Sequence, residues 1–169
     1  MLRKFKFFMK SSNEESIVQM LDDAKKICNT LATTTLSDLK IQNYKYDSSA
    51  AVRELGLDKE LVSELVDDYV AQIIKAVVQF EDYLTTLHNS QENHYDLDYT
   101  AFRELAHKNL GVARNLRIKD AEILLYELMK KDDLDYLLAC LEALKVCAMK
   151  LSPKCAYNTL KLIKLKSSL

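Results

Sequence analysis

His107 and Gly111 stand one helical turn apart in Ala101-Phe-Arg-Glu-Leu-Ala-His-Lys-Asn-Leu-Gly-Val-Ala-Arg-Asn-Leu116. A neutral imidazole nitrogen is a nucleophile able to take up a phosphoryl group. At the helical step of roughly 100° per residue, Ala101, Phe102, Leu105, Val112 and Leu116 form an apolar face. His107 then lies roughly 200° from Leu105 and points to water, with Gly111 on the same side. A glycine inside a helix costs about 1 kcal/mol relative to alanine, and the chain has only two glycines, so this one asks for a reason. Either the backbone packs closely on another helix, or the missing side chain leaves the imidazole open to a partner protein. Arg103 and Arg114 share the meridian of His107 and can steady the negative charge of a phosphoryl group. An ordinary surface histidine would carry the same local pattern.

Other reactive side chains form weaker patterns. Cys28, Cys140, Cys147 and Cys155 include no CxxC pair, so no zinc or redox motif is read from them. Cys140 and Cys147 share a helix face, and burial as small apolar residues accounts for them. His88 and His94 bracket a polar stretch without a carboxylate–histidine cluster at helical spacing, so solvated loop histidines are expected and no metal site. With two glycines, the chain cannot build a phosphate-cradling loop, which argues against an autonomous kinase. The carboxylates lie on polar helix faces, where solvation is the default. No autonomous enzyme and no cofactor are expected.

The elements that position these residues are helices. The 169-residue chain is 49% hydrophobic and 29% charged, with Gly 2 and Pro 1, which disfavours turn-rich β folds and disorder. A net charge of -1 gives no general reason to bind nucleic acid. No apolar run approaches the ~20 residues of a membrane span. The basic, aromatic start from Met1 to Met9 lacks a secretory core and cleavage site. It reads as a packed or frayed terminus, with an interfacial anchor as the alternative. The chain is therefore expected to be soluble and cytoplasmic.

Ser11-Ser12-Asn13 with Glu14-Glu15 signals a helix start, and apolar residues recur at helical spacing from Ile17 to Leu31. Leu36 to Tyr46 reads as a connector and divides an N-terminal extension, residues 1–45, from the rest, residues 46–169. Asp47-Ser48-Ser49 opens a short helix that Gly56 stops. Asp58 then caps a long helix with two adjacent apolar stripes, led by Leu61 and Val62, so that helix is expected to touch two or more neighbours. After the polar stretch from His88 to His94, helices are predicted over about Asp96–Leu116, Lys119–Lys130, Asp132–Leu151 and Pro153–Lys166. Short connections make consecutive helices antiparallel neighbours.

The segment from His107 resembles the histidine-phosphotransfer (HPt) domain of multistep phosphorelays. The family pattern is histidine, a variable residue, leucine, lysine, glycine, and a further glycine near the helix end. Here it stands as His107-Lys108-Asn109-Leu110-Gly111, with Arg117 at the later glycine. Leu55-Gly-Leu-Asp-Lys-Glu-Leu-Val62, followed by Tyr69, resembles the family's opening. The resemblance covers roughly residues 46–169. It implies an antiparallel up-and-down four-helix bundle with a short lead-in helix, to which this chain adds an N-terminal helix. It also implies that His107 carries a phosphoryl group between receiver-domain aspartates, with a response-regulator receiver domain and a hybrid histidine kinase as partners. Arg103, Lys108, Leu110, Gly111 and Arg114 would form the receiver-docking and phosphoryl-proximal surface. With Leu110 in place of the family's lysine, that charge is vacant or supplied by Arg103, Lys108 or Arg114. The alternative is a non-catalytic module that docks a receiver or kinase without carrying phosphate.

Overall fold

Helix ends fall where side chains or left-handed residues satisfy the backbone groups left unpaired there. In the computed structural model residues 2–41 and 45–168 are described, with side chains from residue 13 onward. The helices are α1 (Leu2–Thr33), α2 (Ser49–Leu55), α3 (Lys59–Glu92), α4 (Thr100–Asn115), α5 (Lys119–Lys130), α6 (Leu134–Leu151) and α7 (Pro153–Ser167), with one 3-10 turn at Ser37–Leu39. No strand occurs among the described residues, so the all-α class expected from the scarcity of glycine and proline is observed.

The capping signals work as chemistry predicts. Asp58 Oδ1 accepts from the Leu61 N–H at 2.8 Å, and Asp133 Oδ1 from the Tyr136 N–H at 2.9 Å. Gly56 ends α2 at φ 66°, a conformation glycine adopts without a Cβ penalty. Pro153 opens α7, where its missing N–H costs nothing.

Three expectations are corrected. The Ser11-Ser12-Asn13 signal does not begin a helix, because α1 already runs from Leu2. The side chains of the basic, aromatic start lie outside the described residues. His88 is not in a loop: α3 continues to Glu92, since its last turns contain no breaker and their polar residues face water. The stop comes from His94, at φ 59°. The N–H of His94 bonds Gln91 O and that of Tyr95 bonds Ser90 O, a paired helix-ending motif usually built on glycine. Helix α4 begins at Thr100 rather than near Asp96, because the Asp98 carboxylate accepts the Thr100 N–H at 2.9 Å and holds the preceding chain outside the helix. The connector after α1 is held in place: Leu36 and Ile41 are buried in the common core with Ala24 and Cys28 of α1. Residues 42–44 lie outside the described ones.

Helix α3 lies at the centre and packs against α2, α4, α6 and α7, as its two apolar stripes predict. Val62, Val66, Val70, Ile73, Ile74, Val77 and Phe80 are buried along it. The Phe80 ring meets Phe102 of α4 edge-on, with centroids 5.0 Å apart, an arrangement favoured by the ring quadrupoles. Helix α4 also packs on α5, and α5 on α6, while α1 lies against α6 and α7. Among the described residues no helix is long and apolar enough to cross a membrane.

One buried carboxylate gives this core a pH dependence. Asp120, in the first turn of α5, is 7% exposed. Burial pushes its carboxyl up to about 6, against the opposing pull of Lys150. The folded chain therefore holds this proton more tightly than the unfolded chain, and the residue costs stability above about pH 6. That cost fades as the pH falls toward the unfolded value near 3.9. Asp120→Asn is expected to be more stable than wild type by about 2 kcal/mol near pH 7.5, and the gap should narrow by about pH 5. Urea denaturation at the two pH values checks this.

Candidate functional site

Helix α4 buries Phe102, Ala106, Asn109, Leu110 and Ala113, followed by Leu116 just past its end. These positions recur every three or four residues and define its inner face. That face is turned by roughly 70° from the one predicted from Ala101, Phe102, Leu105, Val112 and Leu116. Ala101 is exposed, while Leu105 and Val112 are only half-buried. Alanines and an asparagine do the inward packing, and neither carries much weight in a hydrophobic pattern.

His107 and Gly111 remain on the outer side. Glu104, His107, Lys108, Gly111, Arg114 and Asn115 form one exposed stripe. A Cβ built on Gly111 would meet nothing within 4 Å. Close backbone packing is therefore not the reason for this glycine, and open space beside the imidazole is what it leaves.

Leu110 does not belong to this surface. It is 2% exposed and sits in the core, so its expected place in a docking patch is corrected. Asn109, where the HPt pattern has leucine, is also buried. Its Nδ2 donates to Leu105 O at 2.8 Å and its Oδ1 accepts from Gln72 Nε2 of α3 at 3.4 Å. The amide is thus satisfied, as a buried polar group must be, and it ties α4 to α3 beside the histidine turn.

The two arginines expected near a phosphoryl group both have carboxylate partners. Arg103 pairs with Asp132 and lies over the Tyr99 ring, 4.8 Å from its centroid. Arg114 Nε reaches Glu122 Oε1 at 3.2 Å. Both pairs are solvent-accessible, and such pairs contribute only about 0–1 kcal/mol, so a competing anion can draw the guanidinium groups away. Lys108 is exposed and makes no ion pair with a described residue. Asp132, Glu122 and Gln72 are neighbours of α4 that the sequence does not reveal. Each comes from another helix or loop, and no spacing along the chain signals such a pair.

The end of α4 has a left-handed residue where the HPt pattern has its later glycine. Arg117, at the position of the later glycine, has φ 58°, and the Ile118 N–H bonds Ala113 O at 3.0 Å. A left-handed helix stop thus occurs where glycine would fit without strain. The Arg117 side chain pairs with Glu54 of α2, and the Tyr46 hydroxyl donates to Leu116 O at 2.8 Å. These contacts hold the lead-in segment against the base of α4.

The remaining candidates carry no comparable chemistry. Burial pushes the Cys140 and Cys147 thiols up to about 12, which keeps them protonated and poorly nucleophilic near neutral pH. All four cysteines are free. Among the described residues no group of three or more His, Cys, Asp and Glu side chains is placed to hold a metal. No protein-family model matches the chain, and neither a curated protein nor a solved structure is significantly similar to it.

Proposed function

We propose that the chain is a histidine-phosphotransfer protein of a phosphorelay, with His107 as the carrier. The observation that carries this reading is the exposed imidazole in mid-helix, with an open Gly111 one turn on. The helix order supports it. Helix α3 packs on α4, α4 on α5, α5 on α6 and α6 on α3, the closed ring expected of a four-helix bundle. Helix α2 serves as the short lead-in, and His107 lies on the second helix of the ring. The left-handed Arg117 at the position of the later glycine agrees with the same reading.

The partner is a response-regulator receiver domain, alone or within a hybrid histidine kinase. A nitrogen of His107 attacks the phosphorus of the receiver's aspartyl phosphate. The new N–P bond forms as the P–O bond to aspartate breaks, and the aspartate leaves as a carboxylate. The reverse attack by a second receiver's aspartate returns the imidazole. The magnesium used in such transfer belongs to the receiver. Lys108, exposed on the same stripe, and the guanidinium groups of Arg103 and Arg114 stabilise the added charge once they exchange Asp132 and Glu122 for it. The Leu110 side chain is internal and takes no part, so the charge of the family's lysine must come from these three residues.

Substitution at Gly111 separates access from folding. Gly111→Ala is expected to raise stability by about 1 kcal/mol, because alanine is the better helix former and the added Cβ has free space. Gly111→Leu should keep the fold yet slow transfer from a phosphorylated receiver domain by tenfold or more, since its side chain projects into the approach to His107. Denaturation curves and labelled-receiver kinetics read the two effects. Wild-type rates in Gly111→Leu would remove the argument from access. Receiver binding by wild type without transfer would leave only a docking module.

A further inference from the structure

Residues 143–169 contain six lysines and no aspartate or glutamate, in a chain whose net charge is -1. Four of these lysines, Lys154, Lys161, Lys164 and Lys166, lie in α7 and are exposed. None makes an ion pair with a described residue. Helix α7 turns one stripe inward, burying Ala156 and Thr159 and half-burying Leu160 and Ile163, as it packs on α1, α3 and α6. The opposite side carries Leu162 and Leu165, which remain 58% and 56% exposed.

At roughly 100° per residue, the order around the helix is Lys164, Lys161, Leu165, Leu162 and Lys166, so the two leucines lie between lysines on either side. Two outward leucines framed by exposed lysines match one kind of surface. Leucine gains by entering an acyl boundary, while lysine stems lie along it and their ammonium groups reach the phosphates above. We propose that the outer face of α7 docks on an anionic lipid surface. A nucleic acid supplies the same negative charge but returns little for leucine, and α7 has no arginine for phosphate forks or base edges. Helix α4 packs on α3 and α5, so docking through α7 engages a different layer from the one that bears His107. The proposal does not depend on phosphoryl transfer.

The test is co-sedimentation of the full chain with phosphatidylcholine vesicles, with and without phosphatidylserine. Binding is expected only to the anionic vesicles and should weaken with salt. Leu162→Gln with Leu165→Gln should lower partitioning about tenfold per leucine. Lys161→Gln with Lys166→Gln should lower it about fivefold per lysine. All four side chains are exposed, so unchanged circular dichroism confirms that the fold is intact. No binding to anionic vesicles overturns the proposal. So does vesicle binding that the leucine changes leave untouched, or binding to a duplex oligonucleotide in the absence of vesicle binding.

Discussion

Leu110→Lys, which places a lysine where the HPt pattern has one, is expected to destabilise the protein by about 3–5 kcal/mol. Leu110 is 2% exposed, so the substitution removes a packed side chain and places an ammonium group in the core between α4 and the helices it packs on. The lysine must lose its charge, find water by displacing its neighbours, or open the helix contact, and each route costs free energy. Against a total stability of about 5–15 kcal/mol, the change is large enough to populate the unfolded state. Lys108→Leu, on the exposed stripe, should alter stability by no more than about 0.5 kcal/mol. Parallel denaturant titrations of both variants check the orientation of α4. A stable Leu110→Lys protein would mean that residue 110 faces solvent and that the position of the HPt pattern's lysine is open.

The elements were legible where their signals are local. Asp58, Asp133, Gly56 and Pro153 mark helix boundaries through their own side chains or backbone freedom, and each acts at or beside its predicted position. The end of α3 was less visible because His94 takes the left-handed conformation without being glycine, whereas α4 stops at Asn115, beside its predicted end at Leu116. Polar residues after Leu87 resemble a loop in composition, yet they line the outer side of a helix that nothing interrupts. The exposure of His107 and Gly111 was also legible, since it depends on spacing alone. The inner face of α4 was not. Ala106, Asn109 and Ala113 face the core because neighbouring helices approach closely and Gln72 meets the amide of Asn109, facts of tertiary packing. The partners of Arg103 and Arg114 follow from the same packing, which brings Asp132 and Glu122 beside α4.

His107→Gln is expected to abolish phosphoryl acceptance while leaving the fold unchanged. The side chain is exposed, so its replacement should shift stability by no more than about 0.5 kcal/mol, and any loss of labelling is then chemical. Glutamine preserves polarity and approximate size but offers an amide nitrogen whose lone pair is delocalised and not nucleophilic. The direct measurement is incubation of wild type and His107→Gln with a receiver domain labelled on its aspartyl phosphate, followed by acid and base treatment of the transferred label. Wild type should acquire label that is stable in base and lost in acid, as expected of a phosphoramidate, and His107→Gln should acquire none. Label retained by His107→Gln, or no label on wild type with a competent receiver, would contradict the assignment of His107 as the carrier.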